Sequence, residues 1–102
     1  MSEANEGASL VINIKTNNIM KWIEINKTVN KIILNVDKII DIKTYKYNEQ
    51  YGFNIYYQSG QNKECINFNY TNEDYRNSKY NKLLDFLICS DKEVTYIQLI
   101  NN

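Results

Sequence analysis

Histidine, the side chain that most often moves protons near neutral pH, occurs nowhere in the 102 residues. Its absence removes the Ser–His and Cys–His nucleophile pairs and most metal-water sites together. The two cysteines, Cys65 and Cys89, stand 24 positions apart with no C-x-x-C spacing. They read as reduced structural thiols. Asp37 and Asp41 lie four apart on or beside a strand pattern, Glu64 sits near a hairpin, and Glu73 with Asp74 opens a helix pattern. Solvated surface charge is the expectation for all five. There is no P-loop, no G-x-G-x-x-G and no G-x-S-x-G, and three glycines do not build a phosphate cradle. The expectation is a protein that is not an enzyme, with no catalytic residue, no metal and no cofactor.

What remains is aromatic and basic chemistry. Lys43, Tyr45 and Tyr47 share one parity, which makes a modest aromatic–basic strip on an extended segment. With Trp22, Lys46, Tyr51 and Tyr56 they form the candidate binding residues. Aromatic faces beside cations stack the bases of single strands. Tyrosine and tryptophan also bury large areas in protein interfaces at small entropic cost. Against both stands a plain alternative: tyrosine is favoured in strands and covers a sheet while its hydroxyl stays wet.

These residues need elements to hold them. Leu10, Ile12 and Ile14 alternate with polar residues as a first strand, and Asn17–Asn18 centres a hairpin to a second strand over 19–25, with Ile23 and Ile25 on one face. Lys27 to Asn30 is polar enough to turn. Ile32, Leu34 and Val36 then alternate, followed by Ile39, Ile40 and Ile42, as one bent strand or two short ones hinged near Asp37. After a loop over 48–52, Phe53, Ile55 and Tyr57 alternate up to a turn at Ser59–Asn62, with Gly60 free to adopt a left-handed conformation. Ile66, Phe68 and Tyr70 complete that hairpin.

The period then changes. Tyr80, Leu83, Leu84, Leu87 and Ile88 form an i, i+3, i+4, i+7, i+8 stripe on a helix from about Asn72 to Cys89. Thr71 and Asp74 mark its start with capping-box spacing, and Glu73 and Asp74 suit the positive end of its dipole. Residues 94–100 read as a terminal strand. The expected fold is α+β: an antiparallel meander of five to seven strands covered by one amphipathic helix, with a strand after it. Residues 1–8 are expected to be disordered and 9–102 to form one domain.

Composition narrows the partners. Twelve basic and twelve acidic residues cancel, which argues against duplex DNA. The 17 Asn, 15 Ile, 11 Lys and 9 Tyr make up 52 of the 102 residues. All four have AT-rich codons, as in a low-GC bacterium, its phages or an AT-rich eukaryotic parasite. No apolar run approaches the roughly 20 residues of a membrane span, and residues 1–7 are polar. A cytoplasmic location without membrane insertion is expected.

The succession over 33–42, then Ile55-Tyr56-Tyr57-Gln58-Ser59-Gly60, Ile66-Asn67-Phe68 and the helix at Leu83-Leu84-Asp85-Phe86-Leu87, resembles the small pleckstrin-homology-like modules of bacteria and phages. The resemblance spans about 30–88 and rests on apolar spacing. A full module has seven strands and ends on its helix, whereas here residues 94–100 follow. It implies a binding scaffold for ligands from phosphoinositides to peptides. Three readings follow. The first is a non-enzymatic protein–protein interaction module, encoded by a phage or mobile element and occluding a host protein; a sheet edge at 94–100 or at the first strand would also serve a homodimer. The second is a single-stranded nucleic-acid binder using Tyr45 and Tyr47. The third is a phosphoinositide binder using Lys43 and Lys46.

Overall fold

The computed structural model describes residues 20–101; the strand expected at 10–14 and its hairpin at 17–18 lie outside them. Six strands and one α-helix are present among the described residues. They are β1 (Trp22–Lys27), β2 (Lys31–Asn35), β3 (Ile39–Tyr47), β4 (Gln50–Ser59), β5 (Asn62–Tyr70), α1 (Glu73–Ile88) and β6 (Tyr96–Asn101). The strands divide into two sheets, β2–β1–β6 and β3–β4–β5. The architecture is therefore mixed α+β, built from two three-stranded sheets in place of one continuous meander.

The division occurs where the hinge was expected. Asn35 accepts the Asp37 N–H through its side chain at 2.9 Å, and a single 3-10 turn over Val36–Lys38 redirects the chain from β2 into β3. In the second sheet both hairpin turns use left-handed backbone, at Asn48 (φ 55°) and Gly60 (φ 61°), conformations that Gly and Asn adopt most readily. The turn at Asn48–Glu49 is shorter than the loop expected over 48–52, because Gln50, Tyr51 and Gly52 continue the ladder opposite Tyr47, Lys46 and Tyr45.

The terminal strand makes the pairing that periodicity did not show. β6 lies parallel to β1, with Ile23 beside Ile97 and Ile25 beside Leu99. A parallel pair needs a long crossover, and the whole of β2 to α1 supplies it. The inward faces of both sheets meet α1 in one core: Ile23, Ile25, Leu34, Ile42, Phe53, Ile55, Ile66, Phe68, Leu83 and Leu87 are all buried. Phe53 stacks on Phe68 with ring centroids 4.6 Å apart, and Tyr80 of the helix tilts onto Phe53 at 5.4 Å.

The helix starts one residue later than the capping-box spacing suggested. Asn72, and not Thr71, is the cap: its side-chain oxygen accepts the Tyr75 N–H at 2.9 Å. Its buried residues are Arg76, Leu83, Phe86 and Leu87. Ile88 of the expected stripe is exposed and Leu84 only half-buried, so the core-facing side is rotated toward Phe86.

Two cations hold the helix in place. No basic residue occupies its last turn; instead Lys21, just ahead of β1, reaches in and donates to the carbonyls of Phe86 (2.5 Å), Leu87 (3.2 Å) and Cys89 (2.6 Å). An ammonium there satisfies carbonyls that the helix leaves without partners and opposes the negative end of its dipole. Near the other end, Arg76 donates through Nη1 to the carbonyls of Tyr45 (2.9 Å) and Gly52 (2.7 Å), which tie the helix to the β3–β4 hairpin. Arg76 is the sole arginine of the chain.

Burial sets a pH dependence. It raises the phenols of Tyr57, Tyr70 and Tyr80 above the ordinary tyrosine value and raises the Cys65 thiol as well. A group whose folded value is raised holds its proton longer in the native state, so its contribution is intact below the unfolded value and is lost as pH rises through the folded one. Burial lowers the Lys21 ammonium, which gives the opposite slope, confined to pH values below about 10.5. The urea midpoint measured by circular dichroism is expected to fall between about pH 10.5 and about pH 11.5, where the phenols lose their protons and Lys21 no longer compensates. A midpoint that stays level or rises over that interval contradicts the burial of these phenols.

Candidate binding surfaces

The sequence-derived candidates separate onto three surfaces. Strand alternation places Lys43, Tyr45 and Tyr47 on the outer face of β3–β4–β5, with Tyr56 of β4 on the same side. Lys46 and Tyr51 have the other parity. They are register partners on the opposite face, where the Lys46 ammonium lies 5.5 Å from the centre of the Tyr51 ring. Trp22 belongs to the other sheet. Lys43 and Lys46 are thus not brought together as one cationic patch.

On the outer face of β3–β4–β5, Tyr45 leans across the neighbouring strand. Its hydroxyl accepts from Asn69 (2.6 Å) and Asn67 (2.8 Å) of β5, two strands away, and the end of its ring covers Gly52. A Cβ at 52 would overlap both that ring and the Phe68 carbonyl oxygen. Glycine is required here by close approach. The amide network continues from Asn67 to Asn54 Oδ1 (2.8 Å) and from Asn54 to the Tyr56 hydroxyl (3.3 Å). Beside it Ile40, Asp41, Lys43, Tyr56 and Lys63 line a shallow depression of about 170 Å³, in which Lys43 lies 3.9 Å from Asp41. The face is amide-rich, close to neutral in charge and largely self-satisfied in hydrogen bonds.

The outer face of β2–β1–β6 differs. The registers align three cross-strand rows: Asn35–Trp22–Tyr96, Ile33–Glu24–Gln98 and Lys31–Asn26–Ile100. Trp22 (37 % exposed), Ile33 (55 %), Tyr96 (50 %) and Ile100 (59 %) present large apolar surface around the central Glu24. The Glu24 carboxylate accepts from Gln98 Nε2 at 2.9 Å. That hydrogen bond holds its carboxyl below the usual range, with burial opposing and with Asn26 and Lys31 reinforcing the effect. Glu24 itself is only 8 % exposed, and these partners hold it charged among the surrounding side chains. This is an apolar platform with a fixed anion at its middle.

A further surface is concave and runs along the side of β6 away from β1, where β6 is the last strand of its sheet among the described residues and Asn101 donates through Nδ2 to the Asn67 carbonyl of β5 at 2.9 Å. Two adjoining hollows of about 160 and 300 Å³ lie between β6, β5 and α1. They share Tyr70, Lys79 and Ile100; Phe53 and Phe68 close the floor of the first and Tyr75 lines the second.

Among the described residues the carboxylates and thiols near these surfaces lie apart. Asp41 accepts its own neighbour's N–H (Ile42, 2.8 Å), Glu73 lies 3.9 Å from Arg76, and of the two cysteines Cys65 lies in β5 whereas Cys89 follows the end of α1. No cluster of three or more carboxylate and thiol side chains suited to a metal occurs among the described residues. No helix among them is long and apolar enough to cross a membrane.

Sequence reasoning singled out Trp22 but missed Ile33, Tyr96 and Ile100. The signal was available: each is a large apolar residue of the parity opposite to the buried Leu34 and Leu99 and the half-buried Ile97. Comparison of the chain with protein-family models, with curated proteins and with solved structures finds no match.

Proposed function

We propose that this protein is a non-enzymatic protein–protein interaction module which docks a larger protein on the outer face of β2–β1–β6 and acts by occluding it. The observation that carries the reading is the ring of Trp22, Ile33, Tyr96 and Ile100 around Glu24. Large aromatic and branched side chains clustered at a surface are the residues that dominate interface energy, and patches of this kind mark docking sites. Glu24 sets the partner's chemistry: an apolar surface presenting an arginine or lysine at its centre. Self-association through this face is disfavoured, because a two-fold arrangement opposes Glu24 to its own copy.

The AT-rich residue usage supports an origin in a phage or other mobile element acting on a host protein. The likeness in strand and helix spacing to pleckstrin-homology-like modules accords with a scaffold whose role is binding. A cytoplasmic location belongs to the same proposal.

The test uses tagged full-length protein in host extract with quantitative mass spectrometry. Trp22→Ala combined with Tyr96→Ala is expected to reduce the captured partner at least tenfold while costing the fold less than about 2 kcal/mol. Tyr47→Ala, an exposed aromatic on the other sheet, is expected to leave capture unchanged. Equal capture by all three proteins contradicts the reading.

A second reading is favoured by one observation. The Tyr45 ring, anchored by two asparagines and backed by Gly52, is a prepared stacking surface for single-stranded nucleic acid. It requires a salt-dependent mobility shift with an oligonucleotide that is lost in Tyr45→Ala; no shift at low salt removes it. The phosphoinositide reading has no comparable support, since Lys43 and Lys46 point to opposite faces.

A further inference from the structure

We propose that the groove along β6 takes an extended acidic peptide, paired as an added strand, which places one bulky apolar side chain between β6 and α1. This rests on the reading of the protein as an interaction module and names the chemistry of a contact beyond the flat face.

Three independent features converge on this groove. The first is the backbone. β6 has β1 on one side and ends the sheet on the other among the described residues, and alternate N–H and C=O groups on that side are the template that an extended chain pairs with. The second is the apolar hollow. Phe53, Phe68, Tyr70 and Leu99 line a space of about 160 Å³ beside this edge. Such a space suits a single aromatic or branched side chain better than a free metabolite needing enclosure on all sides.

The third feature is charge. Lys79 and Lys82 of α1 border the first hollow, and Lys79 also borders the second, where its ammonium lies 5.0 Å from the centre of the Tyr75 ring. Among the described residues no carboxylate lines either hollow. Side chains of an added strand alternate, so a central apolar residue entering the hollow has neighbours two positions away on the same face. Carboxylates there come within reach of the lysines. Ile100 belongs both to this groove and to the apolar face around Glu24. A partner seated on that face would thus lead a segment round the edge of β6 into the groove without leaving the surface.

The experiment uses the full chain, labelled with ¹⁵N and titrated at about 50 mM salt with the peptide acetyl-Glu-Val-Phe-Val-Glu-amide and with its counterpart carrying Lys for both Glu. The acidic peptide is expected to shift and slow the exchange of backbone amides over 98–101 and to shift those of Tyr70, Lys79 and Lys82. Lys79→Glu with Lys82→Glu is expected to weaken it about tenfold and to reverse the preference between the peptides. If that pair does not fold, Lys79→Gln with Lys82→Gln serves, with a smaller loss of the same sign.

Equal binding of both peptides, shifts confined to the Trp22 and Glu24 face, or no shift at millimolar peptide overturns the proposal. Oligouridylate moving the same amides as strongly would also overturn it, because charge alone would then be read. The groove and the reading beneath it fail separately. A silent titration with partner capture still lost in the Trp22→Ala, Tyr96→Ala protein removes only the groove. An ordered β6 edge with capture unaffected retains the groove and removes the flat face.

Discussion

Leu83→Asp is expected to abolish the cooperative thermal transition of this protein. Leu83 is fully buried on the helix face that meets both sheets. Removing its side chain forfeits about 2–5 kcal/mol, and a carboxylate without a buried partner adds several more. The sum, on the order of 5–10 kcal/mol, is comparable with the roughly 5–15 kcal/mol that holds a domain of this size together. Leu84→Asp, one position round the helix and only half-buried, is expected to lower the melting temperature while keeping a cooperative transition. Circular dichroism melts of the two variants make the comparison. A Leu83→Asp protein melting cooperatively near the wild-type temperature would mean that α1 does not lie on the sheets as described.

Gly52→Ala is expected to cost about 3 kcal/mol, at the upper end for a single added methyl group. The new Cβ meets the Phe68 carbonyl oxygen, which the sheet fixes in place, and the end of the Tyr45 ring. Displacing Tyr45 also frees Asn67 and Asn69 and disturbs the two carbonyls that Arg76 binds. Gly60→Ala is the informative control. Nothing stands within 4 Å of a Cβ there, but the left-handed φ of 61° remains, so the cost is that of backbone conformation alone, about 1 kcal/mol. Urea titrations that rank Gly60→Ala as the more damaging change would contradict the position of Tyr45 over β4.

The elements were legible because their signals are local. Period-two alternation in 53–57 and 66–70, a glycine at the left-handed turn and the switch to a helical period after Tyr70 each depend on residues within a few positions of one another. The partition into two sheets was not legible, because it follows from β6 returning to β1 across more than sixty residues in parallel register, and nothing near either strand records that choice. The buried cations were hidden for the same reason. Lys21 reads as one more lysine of a lysine-rich chain until the end of a helix some 65 positions later lies against it.

The candidate site was readable only to the level of parity. Lys43, Tyr45, Tyr47 and Tyr56 do share a face, whereas Lys46 and Tyr51 were grouped with them through nearness in sequence although their positions alternate onto the other side. The docking face around Glu24 needed the pairing of β1 with both of its neighbours. It joins three strands, and each contributes only one or two of its exposed side chains.

The most direct measurement places a benzophenone side chain at Ile33, or at Asn54 on the outer face of the other sheet, and irradiates each protein in host extract. The docking account predicts one covalent adduct of defined mass from position 33, absent when Trp22→Ala and Tyr96→Ala are also present, and no adduct from position 54. An adduct from position 54 alone, or one from position 33 that survives loss of both aromatics, would contradict it.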